Sequence, residues 1–323
     1  MKTKQKNRIL VLLSILFSIS LNAQTEKHPV FNEPPLPVNF VVTNNKGISH
    51  PAIPDSLAGL IVLKINRTVF PPDVNPKDFL APSWGVDCDN QEIIVLAQEI
   101  TSLCKDDYSK AKAIHDWLAT HIYYDFDAYY ANNGANSYNY VVGSVDVLHN
   151  KRSVCSGYAN LWAALLRSAG IPCRVVSGVG LGLSTNGEWN FQNLEKTTNH
   201  AWNEIYVSGK WIIMDATWDS DMRYQHGTFD RGCGLRGYRY FDPTIENFSL
   251  DHRLDAENSE GRQRVENIKE DCIWNYLANR NTLESYQFYM QIYPSGRYSD
   301  KCRTGIDRRL NSVYGKLRTQ KTP

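Results

Sequence analysis

Apolar residues in the middle of the chain recur every three or four positions, which is the spacing of amphipathic helices. The pattern predicts three helices: one capped by Asp89 or Asn90, one over residues 107–122, and one over residues 153–169. Ser153 is predicted to be the N-cap of the third helix, because a serine side chain can accept from the first free N–H groups. Glycine favours the position just after a helix, so Gly170 is predicted to end it.

Strand-like segments follow over residues 173–177, 201–207 and 211–216, with Ser208-Gly209 as a two-residue hairpin turn. Such a turn pairs Val207 with Lys210. Because side chains alternate along a strand, this register puts His200, Trp202 and Asp215 on one face of the hairpin. Asp215 then lies diagonally opposite His200, within reach of its side chain. A slip of one residue would send Asp215 to the other face.

The flanking sequence has a different character. Ten of the fourteen prolines fall between Pro29 and Pro82, which predicts an irregular region with one strand over residues 60–69. A stretch rich in Tyr, Asn and Gly over residues 123–142 is predicted to be a long loop. The C-terminal part predicts short helices over residues 271–277, 283–293 and 298–314.

The first residues are interpreted as a signal peptide, because a basic segment precedes an apolar run that is too short to span a membrane. The predicted organisation is a signal peptide (1–23), a Pro-rich region (24–85), a core (86–255) and a helical appendix (256–323). We therefore expect an exported protein, periplasmic or secreted, with no stable membrane anchor. The oligomeric state stays open.

Composition excludes some classes of protein. The chain is 42% hydrophobic and 21% charged, so it can bury a sizeable core and is not disordered as a whole. Residues 261–323 carry twelve Lys/Arg against six Asp/Glu, a bias that we interpret as solvated helix surface. No nucleic-acid-binding motif is present, and neither the Cys-x-x-Cys nor the His-Glu-x-x-His pattern of zinc sites occurs. We expect no nucleic-acid partner, no metal and no other cofactor.

All seven cysteines follow the predicted signal peptide, so at least one thiol in an exported chain stays unpaired within the chain. Cys155 falls in the first turn of the predicted third helix, where free N–H groups and the helix dipole favour the reactive thiolate. Ser156 and Gly157 are small and leave room for a substrate. By position alone, Cys155 could equally be a buried structural thiol or half of a disulfide.

Together with the predicted hairpin, Cys155 forms a candidate catalytic set. A thiolate at a helix N-terminus and a His–Asp pair on adjacent strands can act as nucleophile, base and orienting group. His200 would take the thiol proton, Asp215 would fix the imidazole, and Cys155 would attack an amide carbonyl to form a thioester. Water or an amine would then resolve the thioester.

Three stretches resemble the core motifs of the transglutaminase-like superfamily: Ser153-Val154-Cys155-Ser156-Gly157-Tyr158-Ala159, Asn199-His200-Ala201-Trp202-Asn203-Glu204 and Met214-Asp215-Ala216-Thr217-Trp218-Asp219. The resemblance covers about residues 90–252 and matches Cys155, His200 and Asp215 to the family's catalytic triad. It implies an α+β, papain-like fold in which the helix bearing the nucleophile packs on an antiparallel sheet. The residues of these motifs are more similar to those of bacterial, peptidase-like members than to those of animal cross-linking enzymes.

With the predicted signal peptide, the resemblance implies an exported cysteine enzyme that acts on peptide or protein amide bonds, with hydrolysis slightly favoured over amine transfer. The alternative is a binding or scaffold protein with an idle triad. Candidates for substrate contact or oxyanion binding are Tyr123, Tyr124, Tyr158, Trp202 and Trp218, alongside the backbone N–H of Cys155.

Other polar residues and thiols are interpreted as structural. His252 is read as a structural residue, and His115 and His121 as surface or capping residues of their helix. Cys173 is predicted to be a core thiol, and Cys272 is the predicted disulfide partner of Cys302 because the two flank a helical hairpin.

Overall fold

The computed structural model describes residues 41–43, 49–51, 53–131, 140–182 and 188–319. The predicted signal peptide, much of the Pro-rich region before residue 53, and part of the predicted loop at 132–139 lie outside the described residues.

The helices and strands are numbered separately in chain order. The helices are α1 Asp55–Val69, α2 Gln91–Thr101, α3 Asp107–His121, α4 Phe126–Ala131, α5 Ser144–Asn150, α6 Cys155–Ser168, α7 Phe191–Leu194, α8 Ala216–Asp219, α9 Ile245–Phe248, α10 Ser259–Arg280, α11 Leu283–Ile292 and α12 Ser299–Thr319. A short 3₁₀ helix spans Pro76–Phe79. The strands are β1 Val41–Thr43, β2 Ser49–Pro51, β3 Tyr123–Asp125, β4 Arg152–Ser153, β5 Cys173–Gly180, β6 His200–Val207, β7 Lys210–Met214, β8 Arg223–Gln225, β9 Thr228–Asp230 and β10 His252–Leu254.

A four-stranded antiparallel sheet with the order β10-β5-β6-β7 carries the centre of the fold. Helix α6 packs on β5 and β6, and its apolar residues join those of α2 and α3 in one core. Trp162 is 1% exposed and lies in this core. The α+β arrangement expected from the sequence, with the helix that bears Cys155 packed on an antiparallel sheet, is confirmed, and the helix itself begins at Cys155.

The register of the β6–β7 hairpin is confirmed: Val207 pairs with Lys210 and Asn203 with Met214. Ser208 and Gly209 both have positive φ, 53° and 83°, as a tight hairpin turn of the predicted length requires. Strand β7 ends at Met214 rather than continuing to residue 216, because Asp215 becomes the N-cap of α8. The strand predicted over residues 211–216 is therefore two residues too long at its C-terminal end.

A second small sheet, with the order β4-β3-β8-β9, crosses the start of the region predicted to be a loop. Strand β3 lies between β4 and β8 and runs parallel to both, and β8 and β9 form an antiparallel hairpin. The sheet was not predicted, because strands of two or three residues have no clear period in the sequence. It places Tyr123 and Tyr124 beside the strand that leads into α6.

The strand predicted over residues 60–69 is wrong, because these residues belong to helix α1. Ala58, Ile61, Val62 and Ile65 are fully buried at helical spacing. The run is rich in β-branched residues, which favour strands weakly, and burial against other elements outweighs that preference. Helix α1 packs on β10 and α10.

The C-terminal helices form a second hydrophobic core together with α1. Cys272, Ile273 and Leu277 of α10 contact Tyr289 of α11 and Cys302 of α12 within this core. Helix α10 is much longer than the predicted 271–277 segment and begins at Ser259, capped by the side chain of Asn258. The predicted helices over 283–293 and 298–314 correspond to α11 and α12. Among the described helices, none is both long and apolar enough to cross a membrane.

Candidate active site

Cys155 is the first residue of α6, and its side chain is half-buried. The N-cap is Val154, with no side-chain cap on the helix terminus. The predicted cap, Ser153, instead belongs to β4, and its hydroxyl donates to the carbonyl of Val141. The thiol therefore lies at a helix N-terminus whose backbone N–H groups and dipole favour a negative charge.

Gly157 serves packing rather than substrate access, contrary to its predicted role. A Cβ at this position would lie 1.9 Å from Oγ of Ser153 and 2.9 Å from a methyl group of Val147. The absence of a side chain lets α6 approach β4 and α5 closely, which positions the first turn of the helix.

His200 begins β6 and is 8% exposed. Its Nε2 lies 2.6 Å from Oδ2 of Asp215, so Nδ1 is the ring nitrogen left for another partner. Burial opposes protonation, but the charge and hydrogen bond of Asp215, followed by a hydrogen bond to the thiol of Cys155, raise the pKa of His200 to about 10. These contacts bring together the thiol, the imidazole and the carboxylate that the sequence singled out.

Asp215 is buried and held at both carboxylate oxygens. Oδ1 accepts a hydrogen bond of 2.9 Å from the backbone N–H of Thr217, and Oδ2 is bonded to His200. Burial disfavours the charged form, but His200 and then His252 outweigh it and hold the pKa of Asp215 well below its ordinary value. An ionised Asp215 can orient the imidazole and stabilise its protonated form.

Among the described residues, one group of side chains has donor atoms spaced closely enough for a metal ion. It consists of His200, Asp215 and His252, whose ligand atoms lie within 4.8 Å of one another. These atoms are already hydrogen-bonded to each other: Nε2 of His252 lies 3.3 Å from the oxygen of Asp215 that His200 also contacts. Hydrogen bonds among the three side chains therefore account for their close spacing.

Two of the five aromatic candidates are buried in the core. Tyr158 is 1% exposed and donates its hydroxyl to the carbonyl of Ile122, and burial raises its pKa. Trp202 is also 1% exposed and packs edge-on against Phe248. Both side chains pack in the core behind the reacting groups, so a substrate cannot contact them.

The other three candidates lie nearer the surface. The ring of Tyr123 packs edge-on against Phe229, 4.8 Å away. Burial and then the charge of Cys155 raise the pKa of Tyr124 well above its ordinary value, which indicates that this phenol lies near the thiol. Trp218 covers the imidazole of His200, with 5.1 Å between ring centroids. Tyr124 and Trp218 are thus the candidates that border the reacting groups.

The sequence did not single out Tyr129 and Tyr140, which also lie near the thiol. Burial raises the pKa of both phenols, and the charge of Cys155 adds to the effect in each. The only signal for them was the richness in tyrosine of the predicted loop. Together with Tyr124, these phenols make the surroundings of Cys155 aromatic.

A second buried histidine resembles His200 in its surroundings. His115 is fully buried, with Nδ1 at 3.0 Å from Asp116 and Nε2 at 3.1 Å from Asp219. Its interpretation as a surface or capping residue is therefore wrong, because α3 turns this side chain towards α8. His121, in contrast, is exposed and stacks on Trp117.

All seven cysteines are free thiols. The predicted disulfide between Cys272 and Cys302 is therefore not formed, and Sγ of Cys302 instead donates to the carbonyl of Tyr286 at 2.9 Å. Cys173 is a core thiol as predicted, and burial raises its pKa to about 12. Cys155 differs from the four buried thiols in having a partly exposed side chain beside an imidazole.

Comparison with known proteins agrees with this arrangement. Residues 94–216, which contain Cys155, His200 and Asp215, match the family model described as the transglutaminase-like superfamily. Residues 94–216 therefore form a transglutaminase-like domain. The matched residues include helices α3 and α6 and the β6–β7 hairpin, so the family match coincides with the sheet and helix that carry the candidate triad.

Named relatives of this transglutaminase-like chain share part of its length. The kyphoscoliosis peptidase of Mus musculus is 29% identical over 220 residues, which is 67% of this chain and 30% of the relative. The human kyphoscoliosis peptidase is 29% identical over 127 residues, or 39% of this chain and 18% of the relative. The chain thus spans less than a third of either relative.

Among solved structures, a candidate cysteine protease from Cytophaga hutchinsonii overlaps the chain in part. It is 29% identical, covers 45% of this chain and 43% of its own, and has a TM-score of 0.35.

Proposed function

We propose that the chain is a cysteine enzyme that acts on peptide or protein amide bonds through Cys155, His200 and Asp215. The observation that carries the proposal is the hydrogen bond of 2.6 Å between Nε2 of His200 and Asp215, which leaves Nδ1 to face the thiol at the N-terminus of α6. A nucleophile, a base and an orienting carboxylate in this order are the parts that acyl transfer by a thiol requires.

The first half of the reaction forms a thioester. Nδ1 of His200 takes the proton of Cys155, and Asp215 stabilises the resulting imidazolium. The thiolate adds to the amide carbonyl, and the bond from carbon to nitrogen breaks as the imidazolium gives its proton to the leaving amine. The acyl group then remains on Sγ of Cys155.

The second half releases the acyl group. Water enters, His200 accepts one of its protons, and the hydroxide adds to the thioester carbonyl. The bond from carbon to sulfur then breaks, which restores the thiolate and gives a carboxylic acid. An amine in place of water would give a new amide, and this is the transferase outcome.

The oxyanion of each tetrahedral intermediate needs hydrogen-bond donors. The backbone N–H of Cys155, at the uncapped start of α6, is one natural donor. The phenol of Tyr124 is the second donor that we propose, because the charge of Cys155 acts on it, whereas the ring of Tyr123 packs on Phe229.

Hydrolysis is favoured over amine transfer in this proposal. The motifs around Cys155 and Asp215 resemble those of peptidase-like members, and two relatives are named peptidases. Water is also the most abundant acceptor outside a cell, where the predicted signal peptide would direct the chain. Export is part of the proposal, and sequencing the N-terminus of protein recovered from outside the cytoplasm tests it: residue 24 is expected at that end.

The deciding experiment incubates a tryptic digest of casein with the wild-type protein, with and without methylamine, and follows the peptides by mass spectrometry. Cys155→Ala is the matched control, since it removes only the sulfur. New peptide termini that need Cys155 would indicate hydrolysis, and methylamine adducts at glutamine would indicate transfer. If neither depends on Cys155, and iodoacetamide labels this thiol no faster than free cysteine, the domain is a binding module with an idle triad.

A further inference from the structure

His252 has a place in the fold that its interpretation as a purely structural residue does not explain. It is fully buried at the start of β10, where it pairs across the sheet with Gly180 of β5. His200 pairs with Gly178, two residues earlier on the same strand. A Cβ at Gly180 would lie 3.0 Å from Trp218 and 3.2 Å from His200, so the absence of a side chain here leaves room for these two residues beside β5.

Both ring nitrogens of His252 face carboxylate oxygens. Nδ1 lies 2.7 Å from Oδ1 of Asp251, and Nε2 lies 3.3 Å from Oδ2 of Asp215. The latter oxygen is the one bonded to His200 at 2.6 Å. The buried side chains therefore form a continuous chain from Asp251 through His252 and Asp215 to His200.

Further hydrogen bonds fix the Asp251 end of this hydrogen-bonded series of side chains. Oδ2 of Asp251 accepts hydrogen bonds of 2.7 Å from the hydroxyl of Tyr240 and from the guanidinium of Arg239. The ring of His252 stacks on Phe248, with centroids 4.3 Å apart and planes 17° apart. The imidazole can therefore neither rotate nor move away from Asp215.

The shared oxygen has a chemical consequence for the reaction. A carboxylate that accepts a second hydrogen bond stabilises the imidazolium beside it less, because its negative charge is divided between two donors, and a less stabilised imidazolium gives up its Nδ1 proton more readily. His200 must accept a proton from the thiol and then release it to a leaving amine. A second donor on Asp215 helps the release and also keeps the carboxylate in one orientation.

We propose that His252 is a positioning residue that donates from Nε2 to Oδ2 of Asp215, holding this carboxylate in place and limiting how strongly it stabilises the protonated imidazole of His200. The inference rests on the proposed function, since it assigns a role within the same triad. The competing explanation is that the ring of His252 only fills space.

Two variants separate these explanations. His252→Phe keeps a flat ring that can stack on Phe248 but has no N–H group for Asp215. His252→Gln loses the ring but keeps an N–H donor at about the position of Nε2. Positioning predicts that the Gln variant retains more activity than the Phe variant, and space-filling predicts the reverse order.

Three reactions are measured per folded molecule. Alkylation of Cys155 by iodoacetamide needs only the thiolate, and acylation by p-nitrophenyl acetate expels an anion that needs no proton. Turnover of the casein digest expels an amine, which must be protonated. For His252→Phe we expect amide turnover to fall at least about tenfold while alkylation and ester acylation change less than about threefold.

His115→Phe is the matched control, because that histidine is also fully buried between two carboxylates but has no hydrogen bond to Asp215 among the described contacts. It should lower the melting temperature and leave all three rates per folded molecule within about threefold of wild type. If neither variant of His252 folds, Asp251→Asn is the milder test, since its side chain is 13% exposed, and it should slow amide turnover selectively.

Selective loss of amide turnover in the Phe variant, recovered at least in part by Gln, supports the inference. Equal loss of all three reactions, or a Phe variant more active than Gln, overturns it. A wild-type protein that fails in all three reactions overturns the proposed function as well. Wild-type activity without separation between the variants overturns only the role of His252.

Discussion

Asp215→Asn tests most directly whether the buried carboxylate makes His200 a base. Asparagine keeps the size of the side chain, but it removes the negative charge that faces Nε2 at 2.6 Å. Its amide N–H can turn towards His200 and select the tautomer with a proton on Nδ1, which cannot accept the thiol proton. The pKa of His200, raised by Asp215 in the wild type, should then fall.

The expected size of the effect follows from this one contact. A hydrogen bond to a charged group contributes about 1.5–3 kcal/mol, and each 1.4 kcal/mol is a factor of ten. The equilibrium constant for forming the pair of imidazolium and thiolate should therefore fall by a factor between about ten and about 150. The loss is expected at pH 6–7, because the wild-type imidazole, whose pKa Asp215 raises, is protonated there.

The assay is the rate of iodoacetamide alkylation at Cys155, followed by peptide mass spectrometry from pH 5.5 to 9.5. Cys233 is exposed and provides an internal reference thiol in the same sample. Asp219→Asn is the matched control, since it makes the same change at the buried carboxylate beside His115. Alkylation of Asp215→Asn at the wild-type rate at pH 6.5 would refute the reasoning, because Asp215 would then contribute nothing to the base.

Three further predictions concern packing and the charge of a buried group. Gly157→Ala should destabilise the fold by about 1–3 kcal/mol in urea unfolding, because its Cβ would lie 1.9 Å from Oγ of Ser153, whereas Gly237→Ala, with open space around it, should be near neutral. Burial raises the pKa of Glu204 to about 7, so the folded state holds its proton more tightly than the unfolded state, and stability falls as pH rises from about 4.5 to 7. Glu204→Gln should flatten that part of the profile, by on the order of 3 kcal/mol across the window, and an unchanged slope would contradict the assignment. Ile61→Ala should cost about 2–5 kcal/mol in one cooperative transition, since this fully buried residue ties α1 to the C-terminal helices; early melting of α1 alone would argue against a shared core.

Local sequence was sufficient for the elements whose geometry depends on near neighbours. The β6–β7 hairpin follows from a two-residue turn and a strict alternation, so the register that brings Asp215 to His200 could be read without tertiary information. Helix α6 was likewise readable from its periodicity and from the glycine that ends it, and this places Cys155 in the first turn.

Segments whose conformation depends on distant partners were predicted less well. Helix α1 has a β-branched sequence that a strand would also suit, and its packing on β10 and α10 decides for the helix. Ser153, the predicted N-cap, belongs to β4 instead, because it pairs in parallel with the strand formed by residues 123–125. Neither partner is visible in a local window of sequence.

The sequence by itself therefore determined where three residues lie, Cys155, His200 and Asp215, because each is next to an element with a clear period or turn. Only the tertiary structure decided what surrounds them. It buried Tyr158, and it brought His252 to the oxygen of Asp215 that His200 uses. The physical reason is that β10 reaches the site by pairing with β5 across some seventy residues of intervening chain, and no local pattern encodes such a contact.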